Sequence, residues 1–197
     1  MRKISLLGLA AFSALTVAAH ADVIPTLSSV TVNGGGFSWN YSANVLVDQR
    51  VETGDFFTIY DFGNFVSGSN MQPAGWLFSS SLLGLTPAFL TARDYTLVHD
   101  DPSIRNLTWT YIGQNSIIGP DFLGIFSVTN NTNQLTTGQF AAQATRNGGP
   151  HDGGKISNIG AISVPVPEMS ALLPILGVCT ASLLALLPSF VRKRRIA

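Results

Sequence analysis

At 197 residues, with eleven Lys/Arg against eleven Asp/Glu, the chain is formally neutral, but that neutrality averages over unlike segments. Six of the basic residues are Arg2, Lys3, Arg192, Lys193, Arg194 and Arg195, whereas every Asp and Glu lies between Asp22 and Glu168, so the body carries five basic against eleven acidic side chains, a net of −6. A surface of that sign argues against nucleic acid and anionic lipid as direct partners; the single cysteine, Cys179, lies outside the body, so no disulfide can staple it.

The first segment reads as an address. Arg2 and Lys3 form a basic start, Ile4 to Ala18 is almost wholly apolar, and Ala19-His20-Ala21 is a small-x-small site before Asp22. This pattern predicts a signal peptide over 1–21, cut by signal peptidase, because the apolar run is too short to cross a bilayer. Removing it, and the apolar end described below, leaves a body long enough for one domain with its own core.

Within the body, apolar and aromatic residues alternate with polar ones from residue 29 onward, the signature of half-buried strands. Asn33-Gly34-Gly35-Gly36 predicts a turn, after which Phe37, Trp39 and Tyr41 share one face, continuing through Val45 and Val47. Asp48 to Asp55 reads as a charged connection. Phe56-Phe57-Thr58-Ile59-Tyr60-Asp61-Phe62 is apolar enough to predict a strand between two layers. Residues 64–103, rich in Gly, Ser, Pro and Asn, predict one or two short strands with long loops. Leu107, Trp109 and Tyr111 then alternate with Thr108 and Thr110, predicting a strand with its hydroxyls outward. Phe122 to Val128 forms another run, Phe140, Ala142 and Ala144 alternate in the next, and Ile156 to Val164 completes the series.

No segment of the body shows a helical apolar period. The expected fold is therefore all-β: an antiparallel β-sandwich ectodomain over 22–163, with jelly-roll and immunoglobulin-like topologies both open. Pro165 and Pro167 predict a stiff linker over 164–170. From Ala171 to Val191 the chain is uncharged and apolar, about 21 residues or roughly 31 Å as a helix, which matches a hydrocarbon core of about 30 Å. This predicts a membrane span over 171–191; Arg192, Lys193, Arg194 and Arg195 then set the tail 192–197 in the cytoplasm and the body outside.

The body carries no Gly-x-Ser-x-Gly, Walker loop, Gly-x-Gly-x-x-Gly or His-Glu-x-x-His motif, so no catalytic residue is assigned. Two clusters, His99-Asp100-Asp101-Pro102 and His151-Asp152-Gly153-Gly154, each set an imidazole beside a carboxylate. If they met they would supply an acid/base pair, the basis for an alternative reading as a secreted glycan-acting hydrolase; otherwise their carboxylates start turns. No cofactor or metal site is expected; the alternative is calcium, with Asp48, Glu52 and Asp55, or Asp100 and Asp101, as oxygen donors. Among the aromatics, Trp39 and Trp109 alternate as core residues do, and Trp76, in an irregular stretch, is the candidate for an exposed sugar-stacking platform. Asn40-Tyr41-Ser42, Asn106-Leu107-Thr108 and Asn130-Asn131-Thr132 match the glycosylation pattern by chance.

The end of the chain, Val166-Pro167-Glu168-Met169-Ser170 followed by the apolar run and Arg192 to Arg195, resembles the PEP-CTERM sorting signal of Gram-negative bacteria, with Met169 where that pattern has its second proline. The resemblance implies a route: export, retention in the inner membrane by the span, cleavage near Pro167-Glu168, within the motif Pro167, Glu168 and Met169, by an exosortase, and display at the cell surface. It also implies a setting of exopolysaccharide and biofilm matrix. The body, notably in Phe56 to Phe62 and Leu107 to Tyr111, is similar to the uncharacterised β-rich cargo domains found ahead of such signals. The body is therefore expected to be a structural, adhesive or glycan-associated module without enzymatic activity.

Overall fold

The computed structural model describes residues 23–90 and 98–167. The expected signal peptide 1–21, Glu168 and Met169, the apolar run 171–191 and the basic tail lie outside the described residues. Ten strands, β1 (Val23–Asn33), β2 (Gly36–Val45), β3 (Gln49–Val51), β4 (Phe56–Ile59), β5 (Trp76–Ser81), β6 (Asn106–Tyr111), β7 (Ile117–Ile118), β8 (Asp121–Asn130), β9 (Leu135–Arg146) and β10 (Lys155–Pro165), form two sheets with every pairing antiparallel. There is no helix among the described residues. One sheet has the order β1-β2-β8; the other runs β5-β6-β4-β9-β3-β7, with β10 also paired to β9.

The registers simplify the larger sheet. Gln143 of β9 pairs with Phe56 of β4 on one side and Ser157 of β10 on the other, and Thr145 pairs with Arg50 of β3 and with Lys155 of β10. β3 and β4 therefore lie on the same edge of β9, as one strand interrupted at Glu52–Asp55. β10 is an edge strand.

The core lies between the sheets. Trp39, Tyr41, Ala43 and Val45 of β2 and Phe126 and Val128 of β8 face Phe57 and Ile59 of β4, Leu107 and Trp109 of β6, and Phe140, Ala142 and Ala144 of β9. The predicted alternation is borne out in β2, β6 and β9. At its centre Phe57 stacks on Trp109 with centroids 5.1 Å apart and meets Phe126 edge-on at 5.0 Å. Such pairs contribute about 0.5–1.5 kcal/mol each beyond area burial. Gly36 lets the β1–β2 hairpin close on β8, since a Cβ there would approach the Asn130 carbonyl oxygen to 2.5 Å.

Several expectations are corrected. β1 begins at Val23, because long-range pairing with β2 overrides the broken periodicity around Pro25 and Ser28-Ser29, and a register shift between Leu27 and Ser29 absorbs the mismatch. Val47 lies beyond β2 and is exposed. The charged connection after Asp48 contains β3. One of the two β6 hydroxyls expected outward does not face solvent: Thr108 is buried and shares a 2.8 Å hydrogen bond with Thr58, whose hydroxyl also donates to the Leu85 carbonyl. Segment 82–90 thus covers part of the outer face of the larger sheet, which is why every residue of β4 is buried, as predicted. β10 runs to Pro165, two residues into the predicted linker. Val166 N–H turns toward Gln134 O, so the donor-less nitrogen of Pro165 faces the open edge.

Candidate functional site

Polar chemistry in the body collects at its two ends. At one end the break between β3 and β4 drives Asp55 into the larger sheet, where it is fully buried. Its Oδ1 accepts from Lys155 Nζ at 2.6 Å and Gln143 Nε2 at 3.3 Å, and its Oδ2 from Thr145 Oγ1 at 2.8 Å and Glu52 N–H at 2.9 Å. A buried carboxylate is tolerated only with such pairing. Lys155 also donates to Thr145 Oγ1 at 2.6 Å and lies 3.9 Å from Glu52 Oε2. Arg50 extends the chain of charges, with Nε 2.5 Å from Glu52 Oε1 and Nη1 2.6 Å from Asp152 Oδ1. Those hydrogen bonds, first from Glu52 and then from Asp152, raise the Arg50 pKa further. Asp152 is held below the usual carboxylate range by the Gly148 N–H and then by Arg50.

At the other end, Asp61 follows β4 with φ 53°. Its Oδ1 accepts from Asp101 N–H at 2.9 Å. Burial pushes the Asp61 carboxyl up, the Asp101 amide opposes this, and the charges of Asp100 and Asp101 add to it. Asp101 caps its own turn by accepting from the hydroxyl and N–H of Ser103, which lower its pKa. Asp100 takes Gly84 N–H on Oδ2 and Asn106 Nδ2 on Oδ1, both at 2.8 Å.

The two His/Asp loops do not meet. His99 is attached through its N–H to the Gln139 side chain, while the His151 turn closes on Arg146 through Gly153 N–H and Gly154 O. Gln139 and Arg146 are seven residues apart on β9, about 23 Å at roughly 3.3 Å per residue. The convergence on which the hydrolase reading depends is not present: Asp100 holds Gly84 and Asn106, and Asp152 holds its own turn at Gly148 and Arg50 of β3.

Of the two proposed calcium groups, Asp100 and Asp101 already accept from Gly84, Asn106 and Ser103. Asp48 is exposed in a turn with φ 62°, away from the buried Asp55, while Glu52 and Asp55 already share the Lys155 ammonium, with Arg50 on Glu52. A side-chain cation occupies the place between those two carboxylates. Among the described residues no group of three or more His, Cys, Asp or Glu side chains is arranged to hold a metal ion.

Trp76 is corrected from an exposed platform to a core residue: it is 5 % exposed and packs edge-on against Phe126 and Tyr111. Asn106 and Asn130 of the formal glycosylation patterns are fully buried, with Asn106 bonded to Asp100 and Leu82 and Asn130 to Gly63. A groove of about 320 Å³ between β1 and β10 presents hydroxyls of Thr26, Thr137 and Ser163 but no titratable side chain. Sequence reasoning missed Lys155; the one available signal was that it is among only five basic residues of the body.

No protein family, curated protein or solved structure matches the chain.

Proposed function

We propose that this protein is an exported cell-surface or matrix component whose β-sandwich body is carried to the surface by the C-terminal sorting signal and released by an exosortase. What supports this most directly is the exit of the chain: β10 runs to Pro165 and Val166 N–H is still bonded to Gln134 O, so Pro167, the first residue of the processing motif, stands at the rim of the body.

The body itself acts as a structural or adhesive module. Its three tryptophans, Trp39, Trp76 and Trp109, are committed to the core, and the carboxylates of Asp55, Asp100, Asp101 and Asp152 to the fold's own hydrogen bonds. Neutral exopolysaccharide is the matrix partner that best suits a body of net charge −6.

The test is expression of the full chain in a Gram-negative host with an exosortase, with and without Pro167→Ala/Glu168→Ala. The expected outcome is an N-terminus at Asp22, release of the wild-type body, and cell-associated, uncut variant. Equal release of both proteins would remove the sorting reading.

A further inference from the structure

The body leaves toward the C-terminus at a fixed point. Val166 N–H bonds Gln134 O at 2.9 Å, and Pro167 lies over Gly63, whose carbonyl accepts from Asn130 Nδ2. Three residues, Glu168 to Ser170, separate Pro167 from the apolar run that begins at Ala171. Even fully extended, four residue steps reach only about 14 Å at ~3.5 Å each. The headgroup region adds roughly 5–8 Å on each side of the hydrocarbon core. With the apolar run in a bilayer, the end of the body around Pro167 therefore stands against the headgroups.

That end presents apolar side chains to solvent. Val32, 85 % exposed, sits near the tip of the β1–β2 hairpin opposite Phe37, which pairs on its other side with Asn130; Leu135, 56 % exposed, pairs with Pro165; and Leu83, 75 % exposed, follows Leu82, whose carbonyl accepts from Asn106 Nδ2. Arg105 O accepts from Phe62 N–H, which joins the Leu82–Asn106 region to Gly63 and the exit. We propose that this end of the sandwich is a docking surface for a phospholipid bilayer, with Leu82, Leu83, Val32 and Leu135 in the interface around the tether. The proposal rests on the reading of residues 171–191 as a membrane anchor. Asp61, Asp100 and Asp101 share this end with Arg105 and His99, so zwitterionic headgroups fit it better than anionic ones.

The full chain, reconstituted in phosphatidylcholine vesicles whose acyl chains are brominated near the headgroup, gives the test. The native Trp39, Trp76 and Trp109 are buried and supply a constant background. Leu83→Trp and Leu135→Trp place reporters at the exit end; Phe122→Trp places one at the far end, where Phe122 pairs with Asn44 near the start of β8. Both exit-end reporters are expected to shift to the blue and lose intensity relative to unbrominated vesicles, and Phe122→Trp to be unchanged. If the chain stays with the vesicles through an alkaline wash and neither exit-end reporter is quenched, the docking surface is overturned while the anchor stands. If the wash strips the chain from the vesicles, the anchor reading fails and the docking surface with it.

Discussion

Lys155 Nζ lies 2.6 Å from Oδ1 of Asp55, a fully buried carboxylate 100 residues away in sequence. The pair ties the edge strand β10 across β9 to the break between β3 and β4. Lys155→Ala would leave Asp55 with three donors but no counter-charge, at an expected cost of about 2–4 kcal/mol in urea unfolding. Lys155→Ala/Asp55→Ala should recover part of that loss, since the stranded charge goes with its partner. A cost under about 0.5 kcal/mol for Lys155→Ala, the scale of an ordinary surface change, would mean that the pair is not structural.

Asp61 carries the opposite sign of effect. Its carboxyl pKa is raised on folding, so the folded state binds the proton more readily than the unfolded one. Stability contributed by this group is therefore greatest at low pH and declines as pH rises from the ordinary carboxylate range through the raised value. Asp61→Asn keeps an acceptor for Asp101 N–H and suits the positive φ, and it is expected to stabilise the protein at neutral pH with a diminishing advantage in acid. A variant less stable than wild type at neutral pH would contradict this account.

Asp152 and Asp101 behave in the normal acidic direction. Both are lowered, by Gly148 N–H and Arg50 in one case and by Ser103 in the other, so their contribution is present above the ordinary carboxylate range and lost as pH falls through the lowered values. Arg50→Met, which removes the shared partner of Glu52 and Asp152, should raise the acid midpoint of unfolding. An unchanged midpoint would remove Arg50 from the set of stabilising contacts.

Calcium titration of the protein is expected to give no saturable heat from the Asp48, Glu52 and Asp55 loop, because the Lys155 ammonium already lies between Glu52 and Asp55. Lys155→Ala removes that cation and is the variant in which binding would first appear. Saturable wild-type binding abolished by Glu52→Gln would show that calcium displaces the lysine.

At the exit, a Cβ on Gly63 would approach the Pro167 Cα to 3.0 Å, a backbone atom with little room to yield. Gly63→Ala is expected to loosen residues 166–167, read as faster hydrogen exchange at Val166 N–H with only about 1 kcal/mol lost globally. Unchanged protection at Val166 would show that Pro167 does not depend on this contact.

Side-chain alternation and segregation of charge are local properties, so the sequence by itself determined much. The inward faces of β2, β6 and β9, the buried Phe56 to Ile59 strand, the absence of helical periodicity and the acidic character of the body all follow from spacing and composition. Pairing and burial are not local. That β3 and β4 are one interrupted strand, that Asp55 turns inward to Lys155, and that His99 hangs from Gln139, seven residues along β9 from the Arg146 that holds the His151 turn, depend on pairings joining residues 40 to 100 positions apart. Trp76 shows the same limit: in an irregular stretch it looked exposed, yet pairing with Tyr111 turned its ring onto Phe126. Only the tertiary structure decided which polar residues are spent on the fold, because the free energy of a buried charge is set by the donors that surround it and not by its neighbours in sequence.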